Sequence, residues 1–344
     1  MISSGNRLIM RKNAIVAEID KDDSVISFTN KAPLLIQQNA FKLWEKSRET
    51  DVNRTNLRVL RRFLGIGSRD TKKALRKINY ASLFDTFWLK EKNSQLTWDD
   101  IKFTSNPLFL HALCGVDIVD ELPFKSPEHS NIGSFEKGWR LIKGEWYLYK
   151  QGKHEELWSE LFSTELLRLY LGDRVVKYWL DSDFIVCKNF INQDKDECLE
   201  HYHSFGYDNL EETFIISRFQ EMGYEYLIPD LKTMWFADAL VQNVDRHEFN
   251  FGIITSNEPV RLAPLYDWNL SMISFRYPKQ YLRYNDPLIK AVNSLNISPP
   301  FIVKEKDIQY VYRNLQGFSI KSSEDEIIQF ILSAQDNLRK YNPQ

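Results

Sequence analysis

Residues 241–252, VQNVDRHEFNFG, constrain the fold of this chain more than any other stretch. They follow an apolar run with helical spacing, Leu231–Asn243, whose Met234, Trp235, Ala237, Leu240 and Val241 are expected in a core. Asp245 and Asn250 then stand five positions apart in a polar stretch, and a second acid, Asp267, follows inside RLAPLYDWNLS. Between Asn250 and Asp267 lie an apolar run, Phe251–Ile254, a turn at Ser256–Pro259 and a second run from Val260, the pattern of a β-hairpin. Asp and Asn are common turn residues, so their spacing alone carries little. The order Asp–Asn–hairpin–Asp is far more specific. It gives one irregular loop an oxygen to accept a hydroxyl proton, with Asn250 and Asp267 as oxygen ligands for a hard cation. Those are the tasks of a phosphoryl-transfer site.

Residues 126–150, SPEHSNIGSFEKGWRLIKGEWYLYK, form the second informative stretch. The small and polar residues read as a loop, and Gly133 permits close approach of backbone to an anion. Two strands follow, Trp139–Ile142 and Glu145–Tyr149, joined by a turn at Lys143–Gly144. Lys150 ends the second strand, where its amine could reach phosphates. His154–Leu171 has helical periodicity, with Leu157, Leu161, Thr164, Leu167 and Leu171 on one face. Val175–Leu180 and Asp183–Phe190 read as strands, and the chain from Leu210 onward reads as mainly helical.

DRHEFNFG followed by LAPLYD resembles the HipA-like kinases, the toxin kinases of bacterial toxin–antitoxin modules and their relatives. SNIGSFEKGW resembles that family's phosphate loop, and EWYLYKQG its lysine strand. The resemblance runs from roughly Ser126 to the C-terminus and is weak before that. It implies an α+β, two-lobed protein-kinase-like fold with a small β-rich N-lobe and a mainly helical C-lobe. The expected divisions are an N-terminal extension over 1–120, a small lobe over 121–192 and a large lobe over 193–344.

By the same resemblance Asp245 handles the acceptor's proton, and His247 belongs to the catalytic loop. Asn250 and Asp267 hold Mg²⁺, and Lys150 positions the phosphates of ATP. Ser130, Ile132, Gly133 and Ser134 cover those phosphates. Glu160, with Glu165 as second choice, partners Lys150, and Lys188–Phe190 border the adenine pocket. The resemblance also implies a Ser/Thr protein substrate, raises an antitoxin partner, and places a self-phosphorylated serine at Ser130. A kinase of small molecules or lipid headgroups is an alternative that the large-lobe pattern leaves open.

Composition narrows the remaining classes. Forty-five basic residues against 47 acidic ones give a formal net charge of −2, with no overall bias toward nucleic acid or membrane. Charge is nevertheless concentrated in Arg54–Lys77, which holds nine basic residues and one acid in a helix–turn–helix-like pattern. A nucleic-acid-binding regulator therefore stands beside the kinase reading, and a solvated basic surface beside both. Three cysteines, Cys114, Cys187 and Cys198, argue against a disulfide framework. Cys198, His201 and His203 fit no common zinc spacing. No apolar run approaches about 18 residues, and Arg7, Arg11, Lys12 and Glu18 interrupt any signal-peptide core, so a cytoplasmic enzyme is expected. The first 40 residues read as short strands at Leu8–Met10, Ala14–Ile19, Val25–Phe28 and Leu34–Ile36.

Overall fold

The structure is a computed structural model that describes residues 5–50, 54, 60, 71–116, 125–131, 136–206, 208–271, 286–318, 320 and 322–339. The fold is α+β, and the chain forms two compact units, each assembled from three separate segments. The first unit takes 1–151, 186–207 and 253–260; the second takes 152–185, 208–252 and 261–344.

The first unit opens with strands β1 (Arg7–Arg11), β2 (Ala14–Ile19) and β3 (Val25–Phe28). Helices α1 (Leu34–Gln37), α2 (Phe41–Ser47) and α3 (Thr71–Lys77) precede β4 (Phe87–Glu91). The four strands make an antiparallel sheet in the order β3-β2-β1-β4, with Ile9, Ile19 and Trp88 wholly buried. Leu34–Ile36, expected as a strand, is the helix α1. Three consecutive apolar residues carry no period that separates helix from strand. Here Pro33 supplies an extended N-cap residue, and the Leu34 N–H is satisfied by the carboxylate of Glu200 at 3.0 Å.

Helices α4 (Trp98–Ile101) and α5 (Phe109–Cys114) lead to the hairpin β5 (Lys137–Ile142) and β6 (Glu145–Lys150). Thr97 and Asp100 cap α4 reciprocally, as the TWDD stretch suggests. The hairpin turn has positive φ at both Lys143 (51°) and Gly144 (85°), the conformation a two-residue turn needs to match strand twist.

In the second unit, α6 (His154–Leu171) and the hairpin of β7 (Tyr178–Asp181) into β8 (Phe184–Lys188) come first. The chain passes into the first unit within β8, which lies beside β6, and continues there as β9 (Cys198–His201). It returns through α7 (Glu212–Glu221) and α8 (Ile228–Val241), passes into the first unit again within β10 (Gly252–Thr255), and resumes in the second at β11 (Arg261–Leu262). Helices α9 (Pro287–Ser294), α10 (Glu305–Asn314) and α11 (Glu324–Arg339) complete it. Helix α8 is apolar nearly all round and buried along most of its length, with α9 and α11 packed on it. A helix so enclosed is a rigid support for whatever its C-terminal end carries. The last helix starts with a capping box: the Ser323 N–H donates to Glu326 and the Glu326 N–H to the Ser323 hydroxyl.

Candidate active site

Helix α8 ends where Gln242 turns left-handed (φ 52°), and the polar loop begins. Its organising group is Asp238, a buried acid in the last turns of an otherwise apolar helix face. The Asp238 carboxylate accepts hydrogen bonds from Asn243 Nδ2 (2.9 Å), Arg246 Nε (3.0 Å) and Arg246 Nη2 (2.9 Å). The Arg246 guanidinium then donates through Nη1 to the carbonyls of Asn250 (2.6 Å) and Tyr266 (2.8 Å), and lies 4.8 Å over the Trp268 ring. One arginine fork thus ties the helix, the far end of the loop and the segment before Asp267 together, which a point charge such as lysine could not do. The sequence reading leaves the partner of Arg246 unnamed. Its signal was a lone acid inside MWFADALV.

Inside that frame the candidate residues converge. Asn250 is buried, and its Nδ2 donates to the Asp245 carbonyl at 2.7 Å, which leaves Oδ1 as the atom that could face a cation. The His247 N–H donates to the Asp245 carbonyl, and His247 Nδ1 accepts from the Phe249 N–H at 3.2 Å, so the imidazole braces the turn. Asp267 adopts φ 67°, a left-handed conformation that Asp tolerates better than most residues and that often marks a functional constraint. The Tyr266 hydroxyl holds Phe249 O at 2.9 Å. Behind Asp267, Glu160 on α6 is buried and accepts from the Trp268 N–H at 3.3 Å, while the Ser159 hydroxyl donates to Trp268 O and Ser271 O.

Electrostatics follow from this crowding. Burial pushes the Asp245 carboxyl above the usual range; His247 pulls it down, repulsion from Asp267 raises it, and Arg246 lowers it again. Asp245 and Asp267 therefore sense each other's charge. The Asp267 carboxylate and the Asn250 amide oxygen are hard donors of the kind that suits a small divalent cation. Among the described residues, no group of three or more His, Cys, Asp or Glu is placed to hold a metal ion. A cavity of about 270 Å³ in the same unit, lined by Leu171, Arg174, Asp230, Thr233, Arg261 and Leu265 among others, includes none of these residues.

The remaining candidates lie in the first unit. Lys150 ends β6, opposite Lys137. Lys188 ends β8 and forms an exposed ion pair with Glu145 at 3.0 Å, and Phe190 follows it. Ser130 closes a 3₁₀ turn, Pro127–Ser130, buried, with its hydroxyl donating to Pro127 O. Ile132, Gly133 and Ser134 lie outside the described residues. Of the basic stretch, Arg54 is buried in an ion pair with Glu128, and Lys72 pairs with Glu45, so neither presents a bare cation. Arg58, Arg61, Arg62 and Arg69 lie outside the described residues. Cys198 is buried, its thiol pushed up to about 12 by that burial. No described helix is long and apolar enough to cross a membrane.

No protein-family model matches the chain, and no curated protein matches it. Among solved structures, it is similar to a chain of the Shewanella oneidensis MR-1 toxin–antitoxin complex of HipA, HipB and operator DNA. The TM-score is 0.52 with 12% identity, over 98% of this chain and 89% of that one. The Helicobacter pylori proinflammatory kinase CtkA aligns with a TM-score of 0.47 and 16% identity, over 60% of this chain and 92% of that chain. The first likeness defines a HipA-like kinase fold, which extends through the N-terminal residues where the sequence resemblance is weak.

Proposed function

We propose that the chain is an ATP-dependent protein kinase of HipA-like type, transferring the γ-phosphate to a serine or threonine hydroxyl. The observation that supports this reading best is the locked loop. The Asn250 amide is fixed by its bond to the Asp245 carbonyl, and the Asp245 and Asp267 carboxylates are close enough to perturb each other. A loop held so firmly is preorganised, which is what phosphoryl transfer asks of a protein.

In this reading Asp245 accepts or orients the proton of the attacking hydroxyl, and a carboxyl raised by burial is a better proton acceptor than an ordinary aspartate. Asn250 and Asp267 would hold Mg²⁺, which when bound neutralises charge on the β- and γ-phosphates. Lys150 orients phosphates, with Ser130, Ile132, Gly133 and Ser134 covering them and Glu160 supporting Lys150. Lys188 and Phe190 belong to the adenine-binding segment through their backbone. His247 keeps the loop in register. The biological role in this reading is that of a toxin or regulatory kinase with an antitoxin partner, as the HipA chain was solved with HipB. Phosphorylation of its own Ser130 is part of the reading.

The test is labelling with radioactive ATP and Mg²⁺, using purified protein in a lysate, with labelled bands identified by mass spectrometry. Labelled protein hydroxyls are expected with the parent and not with Asp245→Asn. Equal labelling by both would end the assignment. Label appearing only in small molecules or lipids would redirect it to the alternative acceptor class.

A further inference from the structure

Ser126–Asn131 leads into the stretch read as the phosphate loop, Lys137 leads out of it, and a single buried ion pair holds both sides. Glu128 is fully buried, and its carboxylate has four donors. Asn106 Nδ2 (2.8 Å) and the Trp139 N–H (2.6 Å) reach Oε1; Arg54 Nη2 (3.0 Å) and Asn131 Nδ2 (3.0 Å) reach Oε2. Four donors fill the acceptor capacity of a carboxylate. Arg54, 74 residues earlier in the chain, has a side chain with no solvent exposure. Its guanidinium also donates to two backbone carbonyls, Asn131 O at 3.5 Å and Lys137 O. The Thr50 hydroxyl adds a bond to His129 O at 2.9 Å.

The arrangement is demanding. Each charge is out of water, and moving either would leave the other buried and uncompensated. The pair therefore tolerates one spacing between Asn131 and Lys137. Neither residue belongs to the motifs that carry the kinase resemblance on chemical grounds, and Arg54 comes from the N-terminal extension.

We propose that Arg54 and Glu128 are positioning residues for the nucleotide phosphates: by fixing the two stems at Asn131 and Lys137, they set the affinity for Mg·ATP. The pair acts through the stem backbone. The proposal rests on the reading of residues 130–134 as the phosphate loop. It gives part of the N-terminal extension a place in the reaction.

The test uses the full chain. In Arg54→Met/Glu128→Gln both charges leave together and side-chain volume is kept. Asn131 can turn its unpartnered Oδ1 toward the new amide, so the variant folds with a thermal transition near the parent's. The expected result is a KM for Mg·ATP raised about ten-fold with kcat within about three-fold, since positioning of a bound phosphate is lost and the acceptor chemistry is not. Backbone hydrogen exchange over 126–131, measured without nucleotide, should be faster than in the parent. Arg54→Lys keeps the ion pair but cannot fork to both carbonyls, and should raise KM about three-fold in a folded protein. A folded double variant with the parental KM overturns the proposal, and so does a fall in kcat alone. If the parent itself binds no Mg·ATP, the kinase reading fails and the proposal falls with it; if the parent binds Mg·ATP, parental exchange in the folded double variant overturns the proposal and leaves the kinase reading standing.

Discussion

Two regions of this molecule solve the same problem with the same device. Around 238–268, Arg246 pairs with buried Asp238 and pins the carbonyls of Asn250 and Tyr266. Around 126–139, Arg54 pairs with buried Glu128 and pins the carbonyls of Asn131 and Lys137. In both, an arginine fork turns two loose ends of backbone into one fixed distance. The difference lies in how far the partners are apart in the chain. Arg246 finds its carboxylate eight residues back, whereas Arg54 finds its own 74 residues ahead. The first knot is local and belongs to the loop it holds; the second lends the loop a residue from elsewhere in the unit. A local knot forms with its helix, while a distant one reports whether the rest of the unit has assembled.

The two regions should separate in kinetics. The largest effect is expected at the local site: Asp245→Asn should lower kcat by about 10³-fold, within the range for loss of a general base. Mg·ATP affinity should stay within about three-fold, measured by binding titration. The acid limb of the parent's kcat profile should lie above the range of an ordinary aspartate, because burial raises Asp245 and it must ionise to accept a proton. Turnover by Asp245→Asn near the parental rate would remove Asp245 from the chemistry.

Next in size is stability. Asp238→Asn and Arg54→Met each strand a buried partner, and each should cost about 3–5 kcal/mol in denaturant unfolding. A cost below about 1 kcal/mol at either site would break the equivalence of the two knots.

Glu200 sharpens the comparison because it is a buried carboxylate without an arginine of its own. Arg48 is engaged bidentately with Asp85, at 2.7 and 2.9 Å. Burial raises Glu200 from the usual 4.5 to about 7; the Leu34 N–H lowers it, Asp85 raises it, and Ser204 and Arg48 lower it. The native state therefore binds a proton that the unfolded chain has lost above about pH 4.5, so the contribution of Glu200 to stability is fully present below that and falls as pH rises toward 7. The fall should amount to about 3 kcal/mol at most. Glu200→Gln should flatten it, as read by melting temperature against pH. An unchanged slope in the variant would assign the effect to other groups.

The smallest effect is expected for Lys188→Met. The Lys188–Glu145 pair is about half exposed on both sides, so its loss should change stability by less than about 0.5 kcal/mol. ATP affinity should be unaffected if the backbone of this segment meets the adenine. A large loss of affinity would instead give the Lys188 side chain a direct role.

What could be read from the sequence divides along the same line as the two knots. The helix over His154–Leu171, the Lys143–Gly144 hairpin, the capping boxes at Thr97 and Ser323, and the Asp245–Asn250–Asp267 order are all local signals of period or spacing. Each was legible because the residues that fix it are near neighbours. Leu34–Ile36 was misread because three apolar residues have no period, and the contact that favours its helix, Glu200, lies 166 positions away. Arg54 looked like one more cation of a basic stretch, since nothing near it hints at Glu128. Asp238 was visible as an acid on an apolar helix, yet its pairing with Arg246 needed the turn of the chain to be known.

The way the first unit is stitched together bears on how the protein is made. Its third segment, 253–260, is translated only after residues 208–252 of the second unit, and β6 has β8 as its second neighbour. A nascent chain that has just delivered β6 therefore carries a strand with one side unpaired, an edge of the kind that recruits other chains. Neither unit can be cut out by shortening the chain from one end. Synthesis must run to Val260 before the first unit has all its pieces, which places the chain among those whose long-range pairings slow folding and lengthen exposure to aggregation.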